Sequence, residues 1–443
     1  MRNKFLLILL CHITNCAFAQ TWLPAGNGLG VCGNNGRFVH ALASFNGNMY
    51  AGGNFDSSGL NPVNNIAKWN GSNWSALGSG CNNSVYAMAE FNGALYVGGG
   101  FDSVGNIQSK RIAKWDGTNW SSVGTGLNGP VYALVVHNGD LYAGGILDSL
   151  NGLFTFGVAK WDGANWIPIG THRQVYLVHS LCTYNNELYA GGVSLLPGGI
   201  SLNFIAKWNG SVWSNVGRGA GGNYSNFIRA LAVYNNELYV GGRLDSAGSI
   251  SVKNIAKWNG VNWSSVGGGI SGQSPYVKAL TVYNNELYAG GEFDSAGTLY
   301  VSKIARWNGN SWNAVGGGVI GPVECEASFN NELFVGGNLC YGGGIGHVLI
   351  NNIGRWTLPL TIEDNKDLDN IKIYPIPARD NITIDGEIFI HSWKLVDEFN
   401  RVISTGIPNS KIFELALNNI NAGFYILIIK SENNIYYKRI IVI

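Results

Sequence analysis

The dipeptide Gly-Gly closes an apolar run seven times in this chain. It stands at Gly52-Gly53, Gly98-Gly99, Gly144-Gly145, Gly191-Gly192, Gly241-Gly242, Gly290-Gly291 and Gly336-Gly337, spaced by 46 to 50 residues. A Trp follows each at a near-constant offset: Trp69, Trp115, Trp161, Trp208, Trp258, Trp307 and Trp356. A second Trp follows the first six: Trp74, Trp120, Trp166, Trp213, Trp263 and Trp312. One unit reads as apolar runs at 228–234 and 237–242 around Asn235-Asn236, a loop, then runs at 254–258 and 262–267 around Asn259-Gly260. Asn-Asn, Asn-Gly and Asp-Gly between such runs are hairpin turns. Each repeat is therefore expected to be four short antiparallel strands, and that period with four strands is the signature of a propeller.

The seventh repeat lacks its second Trp. The missing piece lies at the other end, where Trp22-Leu23-Pro24-Ala25-Gly26-Asn27-Gly28 matches Trp74 to Gly80. The predicted fold is all-β: a seven-bladed β-propeller over residues 20–358, closed by the mature N-terminal strand. That pairing removes exposed sheet edges. A linear solenoid is the alternative, and the split seventh repeat argues against it.

The composition agrees. The chain has 443 residues with 63 Gly, 15 Trp and only 11 Pro, and charged residues make up 12%, half the usual ~25%. A net charge of +1 offers no basic footprint for nucleic acid. Residues 1–19 read as a secretory signal peptide, with Arg2 and Lys4, an apolar core at 5–10 and the small-x-small site Ala17-Phe18-Ala19. The apolar run is too short for a membrane anchor, and no later stretch spans a bilayer. Five cysteines remain after cleavage, Cys32, Cys81, Cys182, Cys325 and Cys340. Cys32 and Cys81 lie in consecutive interblade loops and could pair, though geometry decides that.

These residues resemble kelch-type repeats, with Trp where kelch usually has Tyr. The fuller pattern, G-G-x-F-D-S-x-G followed by I-A-K-W-N/D-G-x-x-W, is more similar to bacterial secreted propellers and to the propeller region of fungal cortical polarity markers. The resemblance implies a fold and not an activity.

Charge rises after residue 360. Residues 359–370 read as a linker, and short alternating strands over 371–443 suggest a small Ig-like β-sandwich. They are expected at 371–374, 381–385, 389–396, 401–405, 411–417, 424–430 and 435–442. The segment resembles the type A C-terminal sorting domain of type IX secretion in Bacteroidetes. The motif residues are Tyr374, Pro375 and Pro377, then Gly423 and Tyr425, then Lys438 and Arg439. The resemblance implies a partner, the type IX secretion machinery, and a protein secreted or held at the outer-membrane surface after export through the periplasm. An accessory sandwich with another role is the alternative.

No catalytic motif or metal-spaced cluster appears, so no cofactor, no metal and no enzyme activity are expected. The D-S-x-G motifs carry Asp56, Asp102, Asp148, Asp245 and Asp294. They read as Asx-turns that cap a strand end. Alternatively, Ser103, Ser149, Ser246 and Ser295 resemble O-glycosylation acceptors of Bacteroidetes. The basic column of Lys68, Lys114, Lys160, Lys207, Lys257, Arg306 and Arg355 reads as stems packed between blades with heads at solvent or an acidic neighbour. The Trp columns read as core.

One column varies while its neighbours hold constant. The second position of strand one is His40, Tyr86, Tyr132, His179, Arg229, Lys278 and Glu324. In a propeller, strand one is innermost, so these side chains are expected to rim the channel mouth. A varied polar rim on a repeated scaffold is what a binding funnel requires; solvent-facing drift is the bland alternative. The expected function is a monomeric, non-catalytic binding or adhesion module for an extracellular glycan or protein. Alternatives are a lectin with repeated interblade sites, a structural surface-layer role, or a polysaccharide hydrolase or lyase using Glu324, Glu326, His40 and His179.

Overall fold

Seven hairpin turns set the architecture. Asn46-Gly47, Asn92-Gly93, Asn138-Gly139, Asn185-Asn186, Asn235-Asn236, Asn284-Asn285 and Asn330-Asn331 all have both residues at positive φ, from 45° to 82°. That is the type I′ turn, whose twist matches the strands it joins. Asn tolerates the left-handed region better than other residues with a side chain, which explains why Asn fills the first position every time.

The computed structural model describes residues 21–33, 36–150, 152–155, 157–170, 176–194, 204–222, 226–343, 348–357, 371–375, 378–397, 402–418, 420, 423–431 and 435–442. All regular elements among them are strands, short turns and bends, with no helix. Contacts divide the chain into two units, one of which is Trp22–Thr357 and the other of which holds Leu358–Ile443.

In the larger unit, seven four-stranded antiparallel sheets follow one another along the chain. The first is Val39–Phe45, Asn48–Gly53, Ile66–Trp69 and Trp74–Ala76, paired in that order. The seventh is Val323–Phe329, Glu332–Gly337 and Ile353–Thr357, and Thr21–Pro24 is its outer strand. The first strand of each sheet packs on the first strand of the next, and that of the seventh packs on that of the first. The expected four-strand repeat and the borrowed N-terminal strand both appear in this pairing.

Gly-Gly is a matter of close approach. A Cβ on Gly52 would lie 2.3 Å from Val85 Cγ1 of the next sheet, and one on Gly53 would lie 2.0 Å from the Phe38 carbonyl oxygen. The same two clashes recur at Gly98-Gly99 against Val131 and Ser84. The Trp pairs stack at a tilt, as at Trp69–Trp74 with centroids 5.2 Å apart. The second indole also stitches neighbouring sheets. Trp74, Trp120, Trp213, Trp263 and Trp312 donate from Nε1 to the carbonyls of Ala25, Leu77, Ile169, Val216 and Val266, and Trp22 donates to Val315. Trp22 and Trp356 are fully buried. The Trp columns are core.

Two readings need correction. The D-S-x-G motif does not cap the second strand. It forms a hairpin of its own, such as Ser57–Ser58 against Asn61–Pro62. Its carboxylates pair with cations: Asp56 with Arg37 at 2.5 Å, Asp102 with Arg111 at 3.2 Å and Asp294 with Lys303 at 2.7 Å. The Asx-turns sit instead between strands three and four, where Asp116 Oδ1 accepts from the backbone N–H of Thr118 and Asn119, each at 2.7 Å. Cys32 also lies elsewhere than expected. It contacts Cys340, while Cys81 is buried in another sheet.

The smaller unit has two antiparallel sheets, ordered Ile371–Tyr374, Asn381–Ile390, Ser410–Ala416 and Val402–Gly406, Ser392–Asp397, Gly423–Lys430, Ile435–Val442. Ile384, Leu415, Leu427 and Ile440 from both sheets share one core. The expected strand at 389–396 is two. The chain leaves one sheet at Ile390 and enters the other at Ser392, and apolar alternation reads straight through such a corner.

Candidate functional site

The variable column gains its geometry from the Gly-Gly strand beside it. In all seven sheets the ladder between strands one and two slips by one residue, between Val39 and Ala41, Val85 and Ala87, Val131 and Ala133, Val178 and Ser180, Ile228 and Ala230, Val277 and Ala279, and Val323 and Cys325. The unpaired residues are His40, Tyr86, Tyr132, His179, Arg229, Lys278 and Glu324. A bulge frees one residue from the ladder and re-aims its side chain. The second Gly permits it, because the carbonyl before the bulge lies where that residue's Cβ would be.

The bulged side chains meet one another across sheet boundaries. Ring centroids are 5.3 Å apart for His40–Tyr86, 4.9 Å for Tyr86–Tyr132 and 5.5 Å for Tyr132–His179. Four rings thus form a continuous arc over four consecutive sheets. On the remaining three, Lys278 and Glu324 form an ion pair whose side chains are nearly fully buried. Lys278 also lies 4.8 Å from the Tyr276 ring centroid. Arg229 is exposed and sits 5.9 Å from the Phe227 ring centroid.

Burial, with the charges of Arg229 and Lys278 added, lowers His40 to about 4. Burial and Arg229 lower His179 to about 3. Both imidazoles are neutral at pH 7, so each offers one donor and one acceptor. Burial raises the Tyr132 phenol, and Tyr86 adds to the effect. For Lys278, burial opposes the charge, but Glu324 more than restores it and the net shift is upward. The arc is uncharged, and the Lys278–Glu324 pair is internally compensated.

Glu326 is not in this ring. Both carboxylate oxygens are buried and unpartnered, and Oε1 lies against Gly290 of the sixth sheet. Burial pushes its carboxyl well above the usual range.

The other candidate residues are dispersed. Ser103, Ser149, Ser246 and Ser295 lie half-buried in the small hairpins. The Ser246 hydroxyl donates to the Gly221 carbonyl at 3.2 Å and that of Ser295 to Ser271 Oγ at 3.3 Å. Five members of the basic column pair within their own sheets: Lys160–Asp140, Lys207–Glu187, Lys257–Glu237, Arg306–Glu286 and Arg355–Glu332, at 2.5 to 3.0 Å. Among the described residues, no group of three or more His, Cys, Asp or Glu could hold a metal ion.

In the smaller unit, Tyr374 is exposed at the end of its strand and Pro375 follows it. Pro377 lies outside the described residues. One ladder brings four motif positions together: Gly423 opposite Val442, Tyr425 opposite Ile440, Ile426 opposite Arg439 and Leu427 opposite Lys438. Tyr425 belongs to the core.

No curated protein matches the chain. Among solved structures it is similar to PorZ of Porphyromonas gingivalis, an essential bacterial surface component of the type-IX secretion system. That match has 14% identity and a TM-score of 0.46 over 91% of this chain and 59% of that one. It is also similar to the extracellular domain of a putative one component system of B. thetaiotaomicron, with 12% identity and a TM-score of 0.48 over 96% and 58%. A third is YjhT, with 15% identity and a TM-score of 0.37 over 63% and 95%. The chain therefore spans under two thirds of the first two structures, and scores this low say nothing of its activity. No helix among the described residues is long and apolar enough to cross a membrane. Residues 65–234 match the Rax2 C-terminal beta propeller domain, and residues 372–443 match a secretion system C-terminal sorting domain. The chain thus combines a Rax2-type β-propeller domain with a type IX sorting domain, which implies export to the cell surface or secretion.

Proposed function

We propose that the chain is a surface-delivered, non-catalytic binding or adhesion module whose ligand seats on the ring of seven bulged residues. In this reading residues 1–19 are a signal peptide. Residues 20–358 form seven blades closed by the N-terminal strand, 359–370 are a linker and 371–443 an Ig-like sorting sandwich. The observation that carries it is the bulge. The column that varies between constant neighbours is the one released from the ladder in every sheet, and four of its side chains touch in series while two more pair with each other. The interblade lectin reading is weaker, because most of the repeated Trp rings it would use are buried. The hydrolase reading is weaker too. Glu324 is tied to Lys278 and Glu326 is sealed from solvent, so neither of these two carboxyls is free to work on a substrate.

The test is an array of glycans and extracellular matrix proteins probed with the whole mature chain. A second sample carries His40, Tyr86, Tyr132, His179, Arg229, Lys278 and Glu324 all changed to Ala. A ligand bound by the first and lost by the folded second supports the ring. A ligand retained by the second moves the site to the blade edges or loops.

A further inference from the structure

We propose that the ring's ligand is a sugar bearing a carboxylate, seated against the His40–Tyr86–Tyr132–His179 arc with its acid group on Arg229. This rests on the ring being the binding site. The four rings touch in series at tilts of 33° to 59°, with Phe38 stacked on His40, and each ring carries a polar atom: two phenolic hydroxyls and the nitrogens of two neutral imidazoles. A ligand without hydroxyls would cover those groups and leave them unpaired, which is unfavourable. Neutral aromatic rings also attract cations, but here a like charge stands beside them. Arg229 acts electrostatically on His40, Tyr132 and His179, so its charge repels a cationic ligand from the arc. Lys278 is neutralised by Glu324. Among the described residues Arg229 has no carboxylate partner, and its guanidinium meets only the Phe227 ring. An exposed guanidinium beside hydroxyl-bearing rings matches a planar carboxylate, which it can bind in a bidentate manner.

The experiment is calorimetric titration of the whole mature chain with galacturonate and glucuronate oligosaccharides, with the neutral galactose and glucose oligomers, and with benzoate. The proposal expects the uronates to bind roughly 10- to 100-fold tighter than their neutral counterparts, the range of a charge-assisted hydrogen bond, and benzoate not to compete. Arg229→Gln should bring acidic and neutral sugars to the same affinity, while Tyr86→Ala with Tyr132→Ala should abolish both. Equal binding of acidic and neutral sugars by the wild type overturns the acid assignment but leaves the ring standing if the Tyr variant still loses them. Uronate binding unchanged in the Tyr variant overturns the ring itself. Failure of every uronate to bind the folded wild type at millimolar concentration overturns the acidic-sugar proposal.

Discussion

Glu326→Leu should make this protein more stable, and the gain should grow with pH. The other six sheets carry Leu42, Met88, Leu134, Leu181, Leu231 and Leu280 at this position, and the last five of these lie against the first Gly of the preceding Gly-Gly pair. Glu326 places a carboxyl there with both oxygens buried and unpartnered. Burial raises its folded pKa well above 4.5, so the folded group stays protonated while the unfolded one ionises. The native state then binds more protons than the unfolded state, and stability falls as pH rises above about 4.5 until the folded value is reached. Over that window the loss is about 1.4 kcal/mol per pH unit. As pH rises above 5 the advantage of Leu should therefore widen until the pH reaches the folded value of the carboxyl. Apolar burial adds about 1.5–3 kcal/mol at any pH. For a unit of this size, roughly 2 kcal/mol from apolar burial alone corresponds to a rise of about 3 °C in Tm, and the pH-dependent part adds to it. Trp fluorescence during thermal and urea unfolding at pH 5, 6 and 7 measures it. Glu326→Gln is the control, since it removes the slope and keeps the unsatisfied polar group. A Leu variant with no gain, or a gain that does not change with pH, would refute the reasoning and mean that the carboxyl has a partner.

Lys278→Ala should destabilise by about 3–5 kcal/mol, because it leaves Glu324 charged and buried; Lys278→Met with Glu324→Leu should recover most of that loss in urea unfolding. Trp22→Ala should cost about 3–5 kcal/mol, since Trp22 is fully buried, packs 5.4 Å from Trp356 and donates to Val315. Deleting residues 21–24 should go further and yield oligomers in size-exclusion chromatography, because it uncovers the edge of Ile353–Thr357. His40 and His179 should weaken the fold in acid: their folded values of about 4 and 3 lie below 6.5, so the unfolded state takes up protons first and stability falls as pH drops from about 6.5 toward those values. His40→Gln with His179→Gln should flatten that arm of the pH–stability profile.

Much of the fold was legible because a repeat reports its own columns. Gly-Gly, the Asn turns and the two Trp marked strand ends seven times over, and a position that stays fixed across seven sheets has a packing reason. The paired outer strand was legible because Trp22 to Gly28 matched Trp74 to Gly80. What stayed hidden has no periodic signature. The hairpin in D-S-x-G spans only two residues per strand, and the corner at His391 falls inside an unbroken apolar alternation. The cysteine pairing failed for another reason: Cys32 and Cys81 are near in the repeat, whereas Cys32 and Cys340 are near in space only because the N-terminal strand belongs to the last sheet.

The candidate site was half legible. Variation among constant neighbours located the column, but the sequence could not say that the residues are bulged or that four rings touch. The bulge follows from the second Gly, whose missing Cβ leaves room for the carbonyl that precedes the variable residue. The same comb of columns exposes the departures in the seventh sheet. Where the others read variable residue, Ala or Ser, then Leu or Met, it reads Glu324, Cys325, Glu326. Glu324 is neutralised by Lys278 of the sixth sheet, the Cys325 thiol donates to the Val39 carbonyl of the first at 3.4 Å, and Glu326 lies against Gly290 of the sixth. All three departures face neighbouring sheets, so they bear on how the seventh sheet is held between the sixth and the first. If they act there, Glu326→Leu should strengthen the fold without altering the ligand binding proposed for the ring. A ligand affinity that fell with that substitution would show instead that seam and mouth are one coupled element.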